Sequence, residues 1–471
     1  MSIPVQMPLD YSMAALAETG PHPEIVACVF PWEVFGELET RYEEARRKYN
    51  RRETKKRQGE LRRRRGRPPS CARKLLDERE YELVQCESEE PGQGGAPAFP
   101  FLSLLRCFLL APFYECESSS EHIARELARN PRFSEMCGFS YGEAPSARSL
   151  RRFSRIMSRE RLWAEVSRLS VAHNLASGVI SPNPSVVAVD TTHHDAYAKV
   201  KKPVSACREC LRIAACPDVV FTCDKTDIVA KSRNYRLPGV KAAVLCDAET
   251  EIPLCGVAVH ARSHDSQTLS PLLLEFRERH PELAAAVEWV LADGAYAGED
   301  NHTEARSILS SELLTPINPG RRKEIKSPAR GIERIDARGV PHCIAGHAMV
   351  LVSRDRVRKQ YIWGCPILHP ELSDGSSRCP RKEECSPRSS WGRVLRTNAA
   401  DFPQIAWECP QHARRQMKLY AGRTSIERAF SFLKRVFCFE RFWGRGEAAL
   451  AGFIDRYVAC FNISAYVKMQ A

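Results

Sequence analysis

Long apolar runs are scarce in this sequence of 471 residues. The longest, FPFLSLLRCFLLAPF, is shorter than the roughly 20 residues that cross a bilayer, and Arg106 interrupts it. The chain also lacks a charged start followed by an apolar segment and a small-residue cleavage site, so export is not expected. The sequence therefore predicts a buried helix at this run and a protein that stays inside the cell without membrane contact.

A disulfide framework is not expected either, because the 19 cysteines are odd in number and a reducing compartment disfavours disulfides. Paired CxxC…CxxC spacing is absent, but two looser sets have ligand-like spacing, and zinc takes four thiolate or imidazole ligands. The weaker candidate comprises Cys207, Cys210, Cys216 and Cys223. The stronger candidate comprises Cys343, Cys365, Cys379 and Cys385, with His342, His347, Cys409 and His412 nearby. Scattered reduced thiols are the alternative for both sets.

The net charge of +12 is concentrated in one segment. Residues 46–74 contain fifteen Lys or Arg against two Glu, so the rest of the chain is about neutral. This basic arm reads as an appendage and includes Arg65-Gly66-Arg67-Pro68, which has the form of an AT-hook core whose arginines enter a narrow minor groove. Nonspecific phosphate binding by the surrounding charge is the alternative.

Composition and periodicity divide the chain into three parts without an internal repeat. Residues 1–98 hold the basic arm and a Gly/Pro-rich linker, and residues 99–180 have a helical pattern throughout. The last helical segment carries arginines that form a candidate DNA-facing surface, with a solvated face as the alternative: Arg148, Arg151, Arg152 and Arg155. After SPNP at 181–184 the pattern changes to that of an α/β domain, 184–471.

Buried strands are predicted at SVVAVDTTH and EWVLADGAY, and a hairpin at KAAVLCDAETEIPLCGVAVHA. SPLLLEFRERH and ARSILSSE read as helices, and LLTPINP reads as a short strand. Insertions are expected near residues 200–236 and 320–410, and the second is predicted to be irregular. This order predicts an α/β fold with a mixed sheet.

Two carboxylates close apolar strands in this reading, Asp190 after VVAV and Asp293 after VLA. A third, Glu427, lies in YAGRTSIERAFSFLK (420–434), which reads as one helix. Helical spacing puts Glu427 on a polar stripe with Tyr420, Arg423 and Lys434. Beside it runs an apolar stripe that would dock on a core: Ile426, Phe430, Leu433 and Phe437. Three converging carboxylates can hold two divalent ions roughly 4 Å apart, and oxygen ligands favour Mg²⁺ or Mn²⁺ over Zn²⁺.

These blocks carry a resemblance. VDTT, LADGAY and the Y-x2-R-x3-E-x6-K spacing are similar to the catalytic blocks of DDE transposases of bacterial insertion sequences. The YREK group of the insertion-sequence-four superfamily fits best, and its Cys-rich 1182-type is a candidate subgroup. The stretch ARNPRFSEMCGFS…SLRRF also resembles the helical N-terminal domain of that superfamily. Together the resemblance covers roughly residues 100 to 465.

The resemblance implies an RNase H-like catalytic domain in which Asp190, Asp293 and Glu427 bind the metal ions. Tyr420, Arg423 and Lys434 would hold the phosphates of the transposon end. It further implies an all-α DNA-binding domain before the catalytic domain, and a Cys-containing insertion before the Glu427 helix. Three residues just after Asp190 could also reach the site, with a supporting or solvated role as the alternative: His193, His194 and Asp195.

The implied function is binding of terminal inverted repeats, cleavage at the ends and joining of the 3′-ends to target DNA. A homodimer is expected because two ends must be brought together, and a bacterial host would place the protein with its nucleoid in the cytoplasm. Two other functions remain open: a domesticated DNA-binding protein without catalysis, and a metal-dependent DNA nuclease that does not join strands.

Overall fold

A computed structural model describes most of the chain. The described residues are 20–64, 98–114, 119–140, 142–196, 225–230, 236–316, 325–326, 331–336, 339–369, 378–398, 414–442, 444 and 446–470. Several predicted site residues lie outside these ranges: Arg65, Arg67, Cys207, Cys210, Cys216, Cys223, Cys409 and His412. Within the described ranges, no helix has the length and apolar character needed to cross a membrane.

All regular elements described before residue 177 are helical. The α-helices are α1 (Pro23–Val29), α2 (Leu38–Arg64), α3 (Phe101–Leu110), α4 (Ser120–Arg129), α5 (Pro131–Met136), α6 (Ala147–Arg159) and α7 (Leu162–Ala176). Serine side chains cap two of them, since Ser119 Oγ accepts from His122 N at 3.2 Å and Ser146 Oγ from Ser149 N at 3.3 Å. A left-handed residue, Arg161 at φ 53°, separates α6 from α7.

The first part of the basic arm belongs to α2. Tyr42, Ala45 and Tyr49 lie on one side of this helix and are at most 9% exposed. The interpretation of the arm as an appendage is therefore wrong for its first turn, because Tyr49 packs on the helical core. Sequence inspection missed this because Lys and Arg outnumber the apolar residues along the run.

Seven strands form one mixed sheet, as predicted. They are β1 (Val186–Ala196), β2 (Asp227–Ala230), β3 (Arg236–Asp247), β4 (Pro253–Val259), β5 (Trp289–Leu291), β6 (Glu312–Leu314) and β13 (Arg441–Phe442). Strand β3 is antiparallel to β1, β2 and β4, whereas β5 runs parallel to both β1 and β6. This combination of an antiparallel half and a parallel half is consistent with the RNase H-like fold that the resemblance implies.

Helices cover both faces of the sheet. On one face, α8 (Leu269–Arg279), α9 (Pro281–Ala286) and α10 (Glu299–Leu309) close a core of their own. On the other, α13 (Thr424–Phe437) and α14 (Glu447–Gln470) share a larger core with helices α1 to α6. Helix α14 was not anticipated, because it is buried on nearly every side and so lacks the amphipathic period of a surface helix.

The insertion before the Glu427 helix contains two small antiparallel sheets, so the prediction of an irregular segment is wrong. One sheet consists of β7 (Ile325–Lys326), β8 (Ile332–Ile335) and β9 (Pro341–Cys343). The other consists of β10 (Val350–Asp355), β11 (Gln360–Gly364) and β12 (Leu395–Asn398), with the short helix α11 (Lys382–Cys385) nearby. Strands of two to six residues are too short for a clear alternating pattern.

Candidate active site

The strand register places the two aspartates side by side. Strands β1 and β5 pair in parallel up to Ala188 and Leu291, and Asp190 and Asp293 each lie two residues beyond that last pair. The prediction that Asp190 closes its strand is wrong, because β1 continues to Ala196 along its antiparallel neighbour β3. Only the parallel pairing ends here, and this is where the prediction from strand ends places the crevice.

Backbone N–H groups orient both aspartates. Asp190 Oδ1 accepts from Thr191 N at 2.7 Å, and Asp293 Oδ1 accepts from Ala295 N at 2.8 Å. Asp293 thereby caps a short 3-10 turn, Gly294–Tyr296, which corresponds to the GAY of the LADGAY block. In each carboxylate one oxygen is held by the chain, and Asp293 is near enough for its charge to raise the pKa of Asp190.

The predicted single helix over 420–434 is in fact two helices. Helix α12 (Arg414–Ala421) ends before Gly422, and α13 starts at Thr424. Bonds of the tighter i to i−3 type span the junction: Gly422 N to Leu419 O at 3.0 Å and Arg423 N to Tyr420 O at 3.0 Å. A Cβ on Gly422 would lie 3.2 Å from Leu291 Cδ1, so the glycine lets the junction approach β5 closely.

The apolar stripe of α13 docks on the sheet as predicted. Its four members are at most 7% exposed: Ile426, Phe430, Leu433 and Phe437. Ser425 Oγ lies 3.4 Å from Cys246 Sγ on β3, which adds a polar contact to the docking. Glu427 lies beside this stripe, in the first turn of the helix, with a side chain that is 54% exposed.

Arg423 brings the third carboxylate to the aspartates. Its Nη1 donates to Glu427 Oε1 at 2.5 Å and its Nη2 to Asp190 Oδ2 at 3.3 Å. Burial lowers the pKa of the guanidinium, but the hydrogen bond to Glu427 and the charge of Asp190 raise it further, so the net pKa lies above its ordinary value. Arg423 therefore neutralises part of the charge of two carboxylates.

Tyr420 and Lys434 occupy different surroundings. Tyr420 Oη donates to Ala292 O at 3.2 Å, directly before Asp293, and burial together with nearby carboxylates raises the pKa of its phenol. Lys434 lies two turns further along α13, where its Nζ is 3.6 Å from Glu440 Oε1. Of the predicted polar stripe, Tyr420, Arg423 and Glu427 border the aspartate crevice, and Lys434 lies beyond it.

The crevice suits a divalent cation. Burial raises the pKa of Asp190 to about 6, and the carboxylates of Asp293 and Asp265 add to the rise, which Thr191 N–H and Arg423 oppose. Such crowding of carboxylates is relieved by a cation, and the all-oxygen donor set suits a hard one. Among the described residues, no three His, Cys, Asp or Glu side chains already form a metal-binding group.

Three further residues next to the site were missed: Thr191, Lys241 and Asp265. Asp265 Oδ1 accepts from Thr191 Oγ1 at 2.6 Å and from Lys241 Nζ at 2.7 Å. A lysine at the start of the apolar strand KAAVLCD and an Asp in HDSQ just after the hairpin were the available signals. Neither signal points to the site without the sheet register.

His194, one of the two histidines shortly after Asp190, is packed among aromatic side chains. His194 is fully buried, its ring packs edge-on against Phe439 and Phe453, and its Nδ1 lies against Phe439 O. The suggestion that His194 reaches the site is therefore wrong. Asp195 lies five residues along β1 from Asp190. At this position β1 runs parallel to β13, with Asp195 in register with Arg441.

The later cysteine set lines one cavity in the insertion. Cys343, Cys365, Cys379 and Cys385 all contribute to its wall. Burial raises the pKa of the Cys385 thiol, and the other three thiols add to the rise. The four cysteines, predicted only from spacing, therefore lie near one another although 42 positions separate the first from the last.

The helical part carries a cationic groove between α2 and α6. Tyr49, Asn50, Glu53 and Thr54 form one wall, and Arg148, Arg151, Arg152 and Arg155 form the other. Arg151 pairs with Glu121 at 2.8 Å, and Arg155 donates to Tyr49 Oη at 3.3 Å. No ion pair of Arg148 or Arg152 occurs within the described ranges.

A family model described as a transposase DDE domain matches residues 183–463, more than half of the chain and all three carboxylates. The chain belongs to the DDE transposase family. A second model, described as a transposase domain (DUF772), matches residues 61–155 of the transposase and includes most of α6. No curated protein gave a match. The protein is thus an enzyme that acts on DNA, and its family uses divalent metal ions such as Mg²⁺.

Proposed function

We propose that this transposase binds the terminal inverted repeats of its own element, cleaves at their ends and joins the 3′-ends to target DNA. Asp190, Asp293 and Glu427 would hold two Mg²⁺ or Mn²⁺ ions for both steps. The proposal is supported by Arg423, which contacts both Asp190 and Glu427, and by the position of Asp293 beside Asp190. A pair of bound ions would activate a water or a 3′-hydroxyl and stabilise the leaving oxygen of a phosphodiester.

The side chains around the carboxylates have distinct duties in this proposal. Arg423, whose guanidinium contacts Asp190 and Glu427, would contact a phosphate oxygen beside the metal ions. Tyr420, held on Ala292 O, forms a wall next to Asp293 and limits how far the scissile strand can shift. Lys434, paired loosely with Glu440, lies two helical turns away and would contact a phosphate further along the strand.

The cationic groove would hold DNA outside the active site. Arg148 and Arg152 are exposed on α6, and α6 falls within the second transposase domain match. Side chains of this kind bind phosphates without reading sequence, and they fix the register of a duplex. A homodimer that carries two such grooves would hold the two ends of one element together.

The triad is tested by three substitutions that keep side-chain size: Asp190→Asn, Asp293→Asn and Glu427→Gln. Each should abolish cleavage of a terminal-repeat duplex in single-turnover assays with Mg²⁺, while the affinity for that duplex stays within about threefold, because phosphate contacts dominate binding. Glu278→Gln, on an exposed position of α8, is the matched control and should cleave normally. Cleavage at the wild-type rate by any of the three would refute the assignment.

Strand joining separates a transposase from a plain nuclease. A pre-cleaved terminal-repeat duplex incubated with target DNA and Mg²⁺ should yield joined products that Asp190→Asn does not make. Efficient cleavage without any joined product would favour the nuclease. The domesticated alternative is disfavoured by the three intact carboxylates.

We also propose a structural zinc ion on Cys343, Cys365, Cys379 and Cys385. Among the described residues of this insertion, the hydrophobic cluster contains six buried side chains, a small core that a bound metal ion would reinforce. Two glycines at positive φ abut the thiols: a Cβ on Gly331 would lie 2.7 Å from Cys385 Sγ, and one on Gly392 would lie 2.6 Å from Cys365 Cβ. The four thiols lie near one another but, among the described residues, do not form a metal-binding group, so zinc would draw them into its tetrahedral arrangement.

Metal analysis tests this proposal. Purified transposase should carry about one zinc per chain, and the variant Cys379→Ser/Cys385→Ser should lose it. Cys28→Ser removes an exposed thiol far from the insertion and should keep the zinc. Zinc-free wild-type protein, purified without chelators, would remove the proposal.

A further inference from the structure

A short turn ties together the elements that carry the two aspartates. The 3-10 segment Asp265–Gln267 follows β4 and precedes α8. Asp265 contacts β1 through Thr191 and β3 through Lys241. Thr268, at the end of the turn, donates to Asp265 O at 2.7 Å and lies 3.1 Å from Tyr296 Oη, which belongs to the 3-10 segment after Asp293.

Lys241 is buried, and both of its hydrogen-bond partners belong to the segment around this turn. The Lys241 side chain is 6% exposed, and its Nζ donates to Asp265 Oδ1 at 2.7 Å and to Ser263 O at 2.9 Å. Burial raises the pKa of Asp265, but hydrogen bonds from Lys241 and Thr191 lower it further, so its net pKa lies below the ordinary value. Asp265 is therefore an ionised carboxylate held from two sides.

Thr191 connects this carboxylate to the catalytic one. Its side chain donates to Asp265 Oδ1, while its backbone N–H donates to Asp190 Oδ1. Because side chains alternate along a strand, Asp190 and Thr191 project from opposite faces of the sheet. Asp265 thus acts from behind β1, whereas Arg423 contacts Asp190 from the front.

We propose that Asp265, anchored by Lys241, is a positioning residue that sets the Asp190 and Asp293 carboxylates for divalent-ion binding. Its carboxylate fixes Asp190 through Thr191, and its backbone carbonyl accepts from Thr268, which lies against Tyr296 in the turn after Asp293. The inference rests on the proposed role of Asp190 and Asp293 as metal ligands. Partners that orient metal ligands typically change metal affinity by about 10- to 100-fold when removed.

The decisive variants remove one hydroxyl. Thr191→Val keeps the shape of the side chain but cannot donate to Asp265, whereas Thr191→Ser keeps the donor. We expect Thr191→Val to raise the half-saturating Mg²⁺ concentration for single-turnover cleavage by about tenfold, and Thr191→Ser to restore most of the affinity. Binding of Mn²⁺ to the DNA-free transposase, measured by calorimetry, should weaken in parallel.

A pair of substitutions tests whether the contact itself is responsible. Asp265→Asn should weaken Mn²⁺ binding, and adding Thr191→Val to it should weaken binding no further, since both act through one hydrogen bond. Lys241→Met/Asp265→Asn removes the buried lysine charge together with its partner and keeps the measurement possible if Asp265→Asn alone does not fold.

The outcomes are distinct. Unchanged Mn²⁺ binding in Thr191→Val, with only a lower melting temperature, would overturn the positioning role and leave a structural one. Additive losses in the double variant would overturn the route through Thr191. Cleavage by Asp190→Asn would instead defeat the proposed function itself, so the two failures cannot be confused.

Discussion

Arg423 and Lys434 show how one sequence spacing gives unequal roles to two cations. Both were predicted to hold DNA from the same helix face. In the structure, Arg423 precedes the first turn of α13 and contacts two carboxylates, whereas Lys434 contacts only Glu440 among the described ion pairs of that helix. The difference follows from the break at Gly422, which puts Arg423 at the junction and turns it toward the crevice.

The two cations should therefore differ in their effect on cleavage. Arg423→Gln leaves Asp190 and Glu427 without their cation and lets the scissile phosphate shift, so single-turnover cleavage should slow by about 100-fold. Lys434→Gln, remote from the carboxylates, should slow it by about tenfold or less. The measurement is the cleavage rate of a terminal-repeat duplex at saturating Mg²⁺.

Arg428→Gln is the matched control for this comparison. Arg428 lies on the same helix, is 53% exposed and pairs with Glu251 away from the crevice. Its loss removes the same charge from α13 and should leave the rate within about twofold, because exposed ion pairs contribute little. Equal rates for Arg423→Gln and Arg428→Gln would mean that the stripe is an ordinary solvated face.

At the scale of elements, the pattern of apolar residues in the sequence predicted several helices and strands that the structure contains. The apolar stripe of α13, the hairpin of β3 and β4 and the buried strand β5 all follow the patterns read from the sequence. The strands of the insertion were not predicted because they are too short to show a periodic pattern. Helix α14 was not predicted because it is buried on nearly every side, which removes the periodic signal.

The residues of the candidate site were likewise predictable from the sequence only in part. Asp190, Asp293 and Glu427 were predicted from motifs, since each motif is local. Thr191, Lys241 and Asp265 were not, because their contacts span up to 74 positions and exist only once β3 and the turn after β4 are in register. The break between α12 and α13 was also missed, although Gly422 was its visible signal.

The junction of α8 and α9 provides a test of stability against pH. His280 is 7% exposed, and burial, with help from Arg279 and Arg168, lowers its pKa to about 4 from the ordinary 6.5. Its ring is neutral in the fold, so its contribution to stability is complete above pH 6.5 and declines as the pH falls toward 4. Between pH 7.5 and 5.0 the loss should be about 2 kcal/mol.

The measurement is urea unfolding of the metal-free protein at both pH values. The free energy of unfolding of the wild type, relative to His280→Gln, should fall by about 2 kcal/mol at pH 5.0. Asn183→Gln changes an exposed side chain that carries no titrating group, and its difference from the wild type should be the same at both pH values. A constant difference for His280→Gln as well would contradict the argument.

At the scale of the whole molecule, one core joins the helical part to the C-terminal helices. Asn174 Nδ2 on α7 donates to Asn462 O on α14 at 3.0 Å, and both residues are fully buried. Arg456 of α14 is 6% exposed and lies over the rings of Phe108 and Trp163, at 5.7 Å and 5.9 Å. The cationic groove is therefore held on the same rigid core as α13, which carries Glu427.

The position of that groove yields the last prediction, on salt dependence. Deleting residues 46–74 would disrupt the fold, because Tyr49 of α2 packs on the helical core.

Single exposed arginines are better probes of the groove. Each phosphate contact contributes about 0.9 to the slope of log affinity against log salt, so Arg148→Gln and Arg152→Gln should each reduce the slope by about one. Arg277→Gln, exposed on α8 across the sheet, makes the same change in charge and should leave the slope as it is. The comparison requires only titrations of one terminal-repeat duplex between low and moderate salt. If all three variants gave the same slope, net charge alone would govern binding, and the groove between α2 and α6 would have no special part in holding DNA.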